Sequence, residues 1–304
     1  GVQTGIRNVV MGYNACRNST AMADSVYVGA QAGGLGVVTG GENVAIGRMA
    51  MYDATSAAGN IAIGTKALEN VTTGNYNIAI GRQALDNADT ESHNIAIGLD
   101  ALGGAVAGGE YNVAIGNYSL DALTTGFQNT TLGYRTGSAQ TTAWGSTLIG
   151  FEAGVEAEGS RNTLLGYRAG YYYTGGNDNT AIGYMALAGV YGSSTGSNNN
   201  AIGKSALGAV TTGSKNIGIG DSAGDNITTG SNNVVIGAAD VASATGDDQL
   251  SISSGDGSPV WITGTSDGSV NLPNSILKIN GSVGSDGQVL TSTGSAVAWE
   301  DAGG

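Results

Sequence analysis

The sequence predicts an all-β chain: a parallel β-solenoid, or β-roll, of about 14 coils of about 17 residues, followed by a small C-terminal β module. Three observations carry this expectation. A five-residue unit of Asn, three mostly apolar residues and Gly recurs along the chain. The apolar residues form short β-branched runs without a 3.6-residue period, which excludes helical repeats. Of 304 residues, 54 are Gly and 2 are Pro, and both prolines lie beyond the last repeat.

The unit is clearest in Asn43 to Gly47, Asn60 to Gly64, Asn77 to Gly81, Asn94 to Gly98 and Asn112 to Gly116. Its terminal glycines fall at positions 12, 29, 47, 64, 81, 98, 116, 133, 150, 166, 183, 203, 220 and 237. Asn stands four residues before the Gly in 12 of these 14 units, with Ser25 and Ser146 in the others, and Ala stands three residues after it in 11. The run between Asn and Gly is a strand. Thr-Thr-Gly at 72–74, 124–126, 211–213 and 228–230 supplies turns, so each coil reads as two short strands joined by tight corners. Gly at the strand end permits positive φ or close backbone approach. Asn tolerates the left-handed region and can bond to the Asn one coil away, so the five named Asn and the five named Gly are assigned to a structural ladder. Proline would delete a ladder donor, and none occurs in residues 1–258.

In Ile78-Ala79-Ile80 the two Ile share one face and the Ala takes the other, so the strand is apolar on both sides. A coil this short encloses only one of them. The other is expected to pack against further copies of the chain, most simply in a homotrimer. Thirteen intervals of about 4.8 Å give a rod roughly 62 Å long. The period ends at Gly237, which divides the chain into a rod, 1–239, and a C-terminal β-rich cap or connector, 240–304. In the second part Val260 to Thr263, Ser275 to Ile279 and a hairpin from Gln288 to Glu300, turning near Gly294-Ser295, read as strands, and residues 302–304 as a linker stub.

The repeat, written "NIAIG..AL....TTG..N", resembles the head repeats of trimeric autotransporter adhesins and, more closely, the repeat regions of phage tail-fibre proteins. Residues 269–304, "SVNLPNSILKINGSVGSDGQVLTSTGSAVAWEDAGG", are similar to a segment of tail fibres and virion structural proteins of marine phages, particularly cyanophages. The resemblance implies a homotrimeric, non-enzymatic fibre of the virion tail, extracellular, held by other virion proteins and attaching to a host cell-surface glycan or other receptor. Unlike the adhesins, these 304 residues are not expected to include a coiled-coil stalk or membrane anchor, nor, unlike many tail fibres, a C-terminal chaperone domain. A bacterial cell-surface adhesin or filament subunit is the alternative. An ice-binding solenoid is a minor one, because the threonines are adjacent corner pairs that point opposite ways.

Composition narrows the chemistry. With 11 Lys+Arg against 24 Asp+Glu there is no basic footprint for nucleic acid. No run approaches 18 apolar residues, so no membrane-inserted helix is expected. One His (His93) and one Cys (Cys16) leave little for a catalytic triad, a His-based metal site or a disulfide. No cofactor is expected, and no catalytic or metal-binding residue is assigned. Asp53, Asp86, Asp89, Asp100, Glu152, Glu156 and Glu158 read as scattered corner charges rather than a glycosidase pair. Asp247-Asp248 and the turns at Asp256, Asp267 and Asp286 lack the ordered spacing of a Ca²⁺ site. His93 reads as an exposed corner filler and Cys16 as a packed residue.

The candidate receptor contact is aromatic. Tyr134, Phe151, Tyr167 and Tyr184 each follow the corner Gly in consecutive coils and are expected to stack as a column. Tyr171, Tyr172 and Tyr173 sit together at one corner, and Tyr191 lies in the insertion 188–198 of the longest unit. Stacking alone would stiffen an edge; exposed, the same rings form a platform for sugars.

Overall fold

The computed structural model describes residues 5–34, 36–272, 288–292 and 297–301, and among these every regular element is a strand. Strands β1 (Val9–Met11) to β14 (Val234–Ile236) are three residues each, one per repeat. Each pairs in parallel with the next in strict register, as in Ile61↔Ile78↔Ile95. The chain is a parallel β-solenoid, as the repeat requires.

Among the described residues each coil has one strand, and the expected second strand is not formed. Three recurring positions per coil adopt positive φ instead, most of them non-glycine: in the coil after Gly81 these are Gln83 (57°), Leu85 (50°) and His93 (63°), whereas after Gly133 two of the three are Gly137 and Gly145. Single left-handed residues so closely spaced turn the chain before a second strand can extend. Their cost is offset because the turn backbone still bonds from coil to coil, as in Leu85 N–H to Ala101 O at 2.9 Å and Thr72 N–H to Asp89 O at 2.8 Å. The corner glycines from 12 to 220 hold φ of 135–142°, and a Cβ on Gly98 would lie 2.6 Å from the Gly116 carbonyl carbon. Only Gly meets both demands.

The Asn ladder is present, with one difference. The residue before each ladder Asn, not the Asn itself, is left-handed, as Tyr76 (57°) and Tyr111 (59°) illustrate. Freed from the turn, the buried Asn side chain works in both directions. Asn94 Oδ1 accepts Asn112 N–H at 2.9 Å while its Nδ2 donates to Gly109 O at 2.9 Å. A second polar ladder runs two residues upstream of the Asn, where Asn75 Oδ1 accepts Ala58 N–H at 2.8 Å and Ser92 Oγ accepts Asn75 N–H at 3.0 Å.

From β2 onward the middle residue of each of these strands is buried, and Ala45, Ala62, Ala79, Ala96 and Ala114 are fully so. They pack with the residue four after the corner Gly, which is Leu68, Leu85, Leu102 and Leu120 in successive coils, each fully buried. Where the strand centre is large, that partner is Gly. Gly33 faces Tyr27, and Gly170 faces Leu164, whose Cδ1 would stand 2.6 Å from an added Cβ. In most coils one large and one small residue thus share the interior, while Gly218 and Gly224 leave theirs to side chains of the neighbouring coils such as Leu207 and Val235. Cys16 occupies the same position and is buried, and burial pushes its thiol pKa up to about 11.

The stack continues one coil past Gly237. Strand β15 (Leu250–Ser253) pairs in parallel with β14, and Gln249 takes the Asn role, its N–H reaching Asn233 Oδ1 at 2.9 Å. Strand β16 (Val260–Gly264) then adds antiparallel to β15, and β17 (Val270–Asn271) antiparallel to β16. Strands β18 (Gln288–Ser292) and β19 (Val297–Asp301) form an antiparallel hairpin. The strand expected over 275–279, the turn at 294–295 and residues 302–304 lie outside the described residues, as does Asp286.

Candidate functional site

Residues one past the corner Gly point away from the coil, so rings placed there in consecutive coils meet at the coil spacing. Tyr134, Phe151, Tyr167 and Tyr184 form this column, with centroids 5.2, 5.4 and 5.2 Å apart and interplanar angles of 22°, 6° and 4°. All four are exposed, and Tyr118 meets the column edge-on at 6.1 Å from Tyr134. The Arg168 guanidinium lies 5.2 Å from the Tyr167 ring centre and 4.9 Å from that of Tyr171. Its Nε donates to Glu152 Oε2 at 2.7 Å, and Arg135 reaches the other Glu152 oxygen at 3.5 Å.

The corner cluster divides. Tyr171 and Tyr172 meet edge-to-face at 4.5 Å and 86°, and Tyr172 meets Tyr191 at 5.7 Å and 88°. Tyr191, 71% exposed, stands at the tip of the insertion, which Ser194 Oγ ties down by donating to Val210 O at 2.8 Å. Tyr173 is no contact residue, because it is only 1% exposed. It lies seven residues after its corner Gly, a core position filled elsewhere by Val71, Val210 and Ile227. Its hydroxyl donates to Gly196 O and accepts from Asn199 Nδ2 at 3.0 Å, and burial raises its pKa.

Beside Tyr171 and Tyr172 the surface sinks into an open groove of about 340 Å³. The repeat explains it. Five and six residues past the corner Gly stand Tyr171-Tyr172, then Ala188-Gly189, then Gly208-Ala209, then Asp225-Asn226. Two coils of minimal side chains lie between bulky ones.

Two further features come from the same register. On another corner Tyr76, His93 and Tyr111 stack, with His93 5.5 Å from Tyr76 and 5.0 Å from Tyr111, so His93 is exposed yet part of an aromatic stripe. One position earlier in the repeat Phe127 and Trp144 stack as a separate pair at 5.7 Å, and Arg161 caps Trp144 at 4.7 Å. The acids, expected to be scattered, are partly aligned. Glu69, Asp86 and Asp121 each lie five residues past a corner Gly, and in the intervening coil Asp100 leans over Gly103. Burial, with the negative charges of Asp100 and Glu69 adding to it, raises Asp86 to about 6; burial with Asp100 raises Asp121 to about 6. Glu69 is offset by Lys66 at 2.9 Å. Among the described residues no group of three or more His, Cys, Asp or Glu is arranged to hold a metal ion. Asp256 and Asp267 bind their own turns, Asp267 accepting from Thr265 Oγ1 at 2.6 Å and from Ser269 N–H at 2.9 Å, which hold it down at about 2.

These features define a class: a single-sheet parallel β-solenoid with an exposed aromatic corner beside a groove. No protein-family model matches the chain, and neither curated proteins nor solved structures yield a match.

Proposed function

We propose that the chain forms the shaft of an extracellular virion tail fibre, a homotrimer that attaches to a host-cell surface through its aromatic corner and catalyses no reaction. The observation that carries the reading is the outer face of the sheet. Its third column is Ile46, Ile63, Ile80, Leu132, Ile182, Ile202, Ile219 and Ile236, all 36–45% exposed, with Ile97, Ile115, Ile149 and Leu165 between them. A continuous apolar stripe along a rod favours burial against other copies, at about 0.5–1 kcal/mol for each partly exposed Ile. Half-buried Tyr171 and Tyr172, exposed Tyr191 and the exposed column from Tyr134 to Tyr184 supply aromatic faces for a surface glycan.

Sedimentation tests the assembly: a trimer at micromolar concentration is expected, and a stable folded monomer would overturn it. Adsorption of the purified rod to host cells tests attachment, with loss expected when Tyr171, Tyr172 and Tyr191 become Ser. Micrographs locating the rod on a virion rather than on a bacterial surface separate the tail-fibre reading from the adhesin one.

A further inference from the structure

We propose that the groove beside the tyrosine corner is a saccharide subsite that binds a disaccharide along the rod axis and prefers one carrying a protonated amine at its Asp225 end. The proposal rests on the attachment reading and adds to it a place and a ligand chemistry.

The geometry comes from the gap in the repeat. The coil of Tyr171-Tyr172 and the coil of Asp225 are three intervals apart, about 14 Å along the axis. Between them the floor is Ala188, Gly189, Gly208 and Ala209, with Met185 and Ser205 beside it. A volume of about 340 Å³ lies within the range of small-ligand sites, and an apolar floor with a few converging polar groups is their usual make-up. Tyr172 stands at one end as an aromatic wall, held by edge-to-face contacts with Tyr171 and Tyr191 on either side. The apolar face of a sugar ring packs on such a floor, leaving its polar edges to the two ends.

The ends differ in charge. At the tyrosine end Arg168 shares buried Glu152 with Arg135, at 2.7 and 3.5 Å, and its remaining N–H groups can donate to sugar hydroxyls. At the far end no cation neighbours Asp225 in the groove lining, and a second carboxylate, Asp240, lies close enough for Asp225 to raise its pKa, after the larger effect of burial. A formal net charge of -13 adds a field of the same sign. At the Asp225 end a carboxylate is therefore disfavoured, a neutral sugar accepted, and an amine gains an ion pair.

The test is calorimetric titration of the full chain at low salt and about pH 6, where an ordinary amine is protonated. The ligands are the disaccharide of glucosamine, cellobiose and digalacturonate. The glucosamine dimer should bind about two- to fivefold more tightly than cellobiose, the gain of a solvent-exposed ion pair, with digalacturonate weakest. Asp225→Asn should make the first two equal, and Ala209→Tyr, which fills the floor, should abolish binding of both while the melting temperature is kept. Tyr172→Ser, at a half-exposed corner position, should weaken both ligands and serves as a second variant should Ala209→Tyr perturb the fold. Digalacturonate binding as tightly as the amine, a preference that survives Asp225→Asn, undiminished binding by both floor and wall variants, or no binding at all would each overturn the proposal. Whole-cell adsorption by Ala209→Tyr keeps the two readings apart. Adsorption retained without groove binding removes this subsite as the attachment point and leaves the fibre reading standing.

Discussion

At the scale of single residues, the ladder Asn contributes most per side chain. Asn94 satisfies a buried N–H on one neighbour and a carbonyl on another, both within the fully buried stack. Asn94→Ala orphans both, so stability should fall by about 2–4 kcal/mol, read as a lower urea midpoint. Asp86 and Asp121 act in the opposite sense. Their folded pKa of about 6 lies above the ordinary carboxylate value, so between about pH 4 and 6 the folded chain holds more protons than the unfolded one. Stability is then greatest below that window and falls as pH rises through it, on the order of 1–2 kcal/mol for each group. Asp24 and Asp178, held low by exposed Arg partners, work against this only weakly. The melting temperature should be higher at pH 5 than at pH 7, and Asp86→Asn with Asp121→Asn should flatten the difference.

At the scale of the coil, the controlling quantity is interior volume. Leu164→Ala empties space that faces Gly170, which has no side chain to fill it, and should cost about 2–5 kcal/mol. Leu fits the equivalent left-handed position elsewhere, at φ 49° in Leu187 and 52° in Leu207. Leu164→Ala combined with Gly170→Leu reproduces the Ala181/Leu187 pairing of the next coil and should recover more than half of the loss in the same denaturation assay. Gly98→Ala has no such rescue. Its Cβ meets backbone rather than a movable side chain, so loss of the folded rod by circular dichroism is expected.

At the scale of the whole molecule, the consequence is directional. Among the described residues the rod has one parallel sheet and so one apolar outer face, whereas the turn-built sides carry rings and charges. Ile63→Asp with Ile80→Asp should shift sedimentation from trimer toward monomer without changing the β signal, since both side chains point out of the coil. The same face bears a column of Thr130, Thr147, Thr163 and Thr180 in register beside Leu132, Ile149, Leu165 and Ile182. Threonines there alternate with aliphatic residues rather than with other threonines, and a thermal-hysteresis assay on the rod is expected to show no activity.

Read alone, the order of amino acids specifies the coil length, the strand in each repeat, the Asn ladder and the aromatic column, because each is a periodic property and a period survives without coordinates. It also marks Tyr171, Tyr172 and Tyr191 as neighbours, since one corner and one insertion hold them. The tertiary structure decided what depends on direction and depth. Tyr173 is buried although its two neighbours are not, because seven residues past the corner the chain has turned inward. The second strand gives way to left-handed turns, because φ at positions occupied by Gln, Leu or His is set by the coils above and below. The groove and the Glu69–Asp86–Asp121 line arise between coils, where side chains far apart in sequence share one register position, and only stacking makes them neighbours.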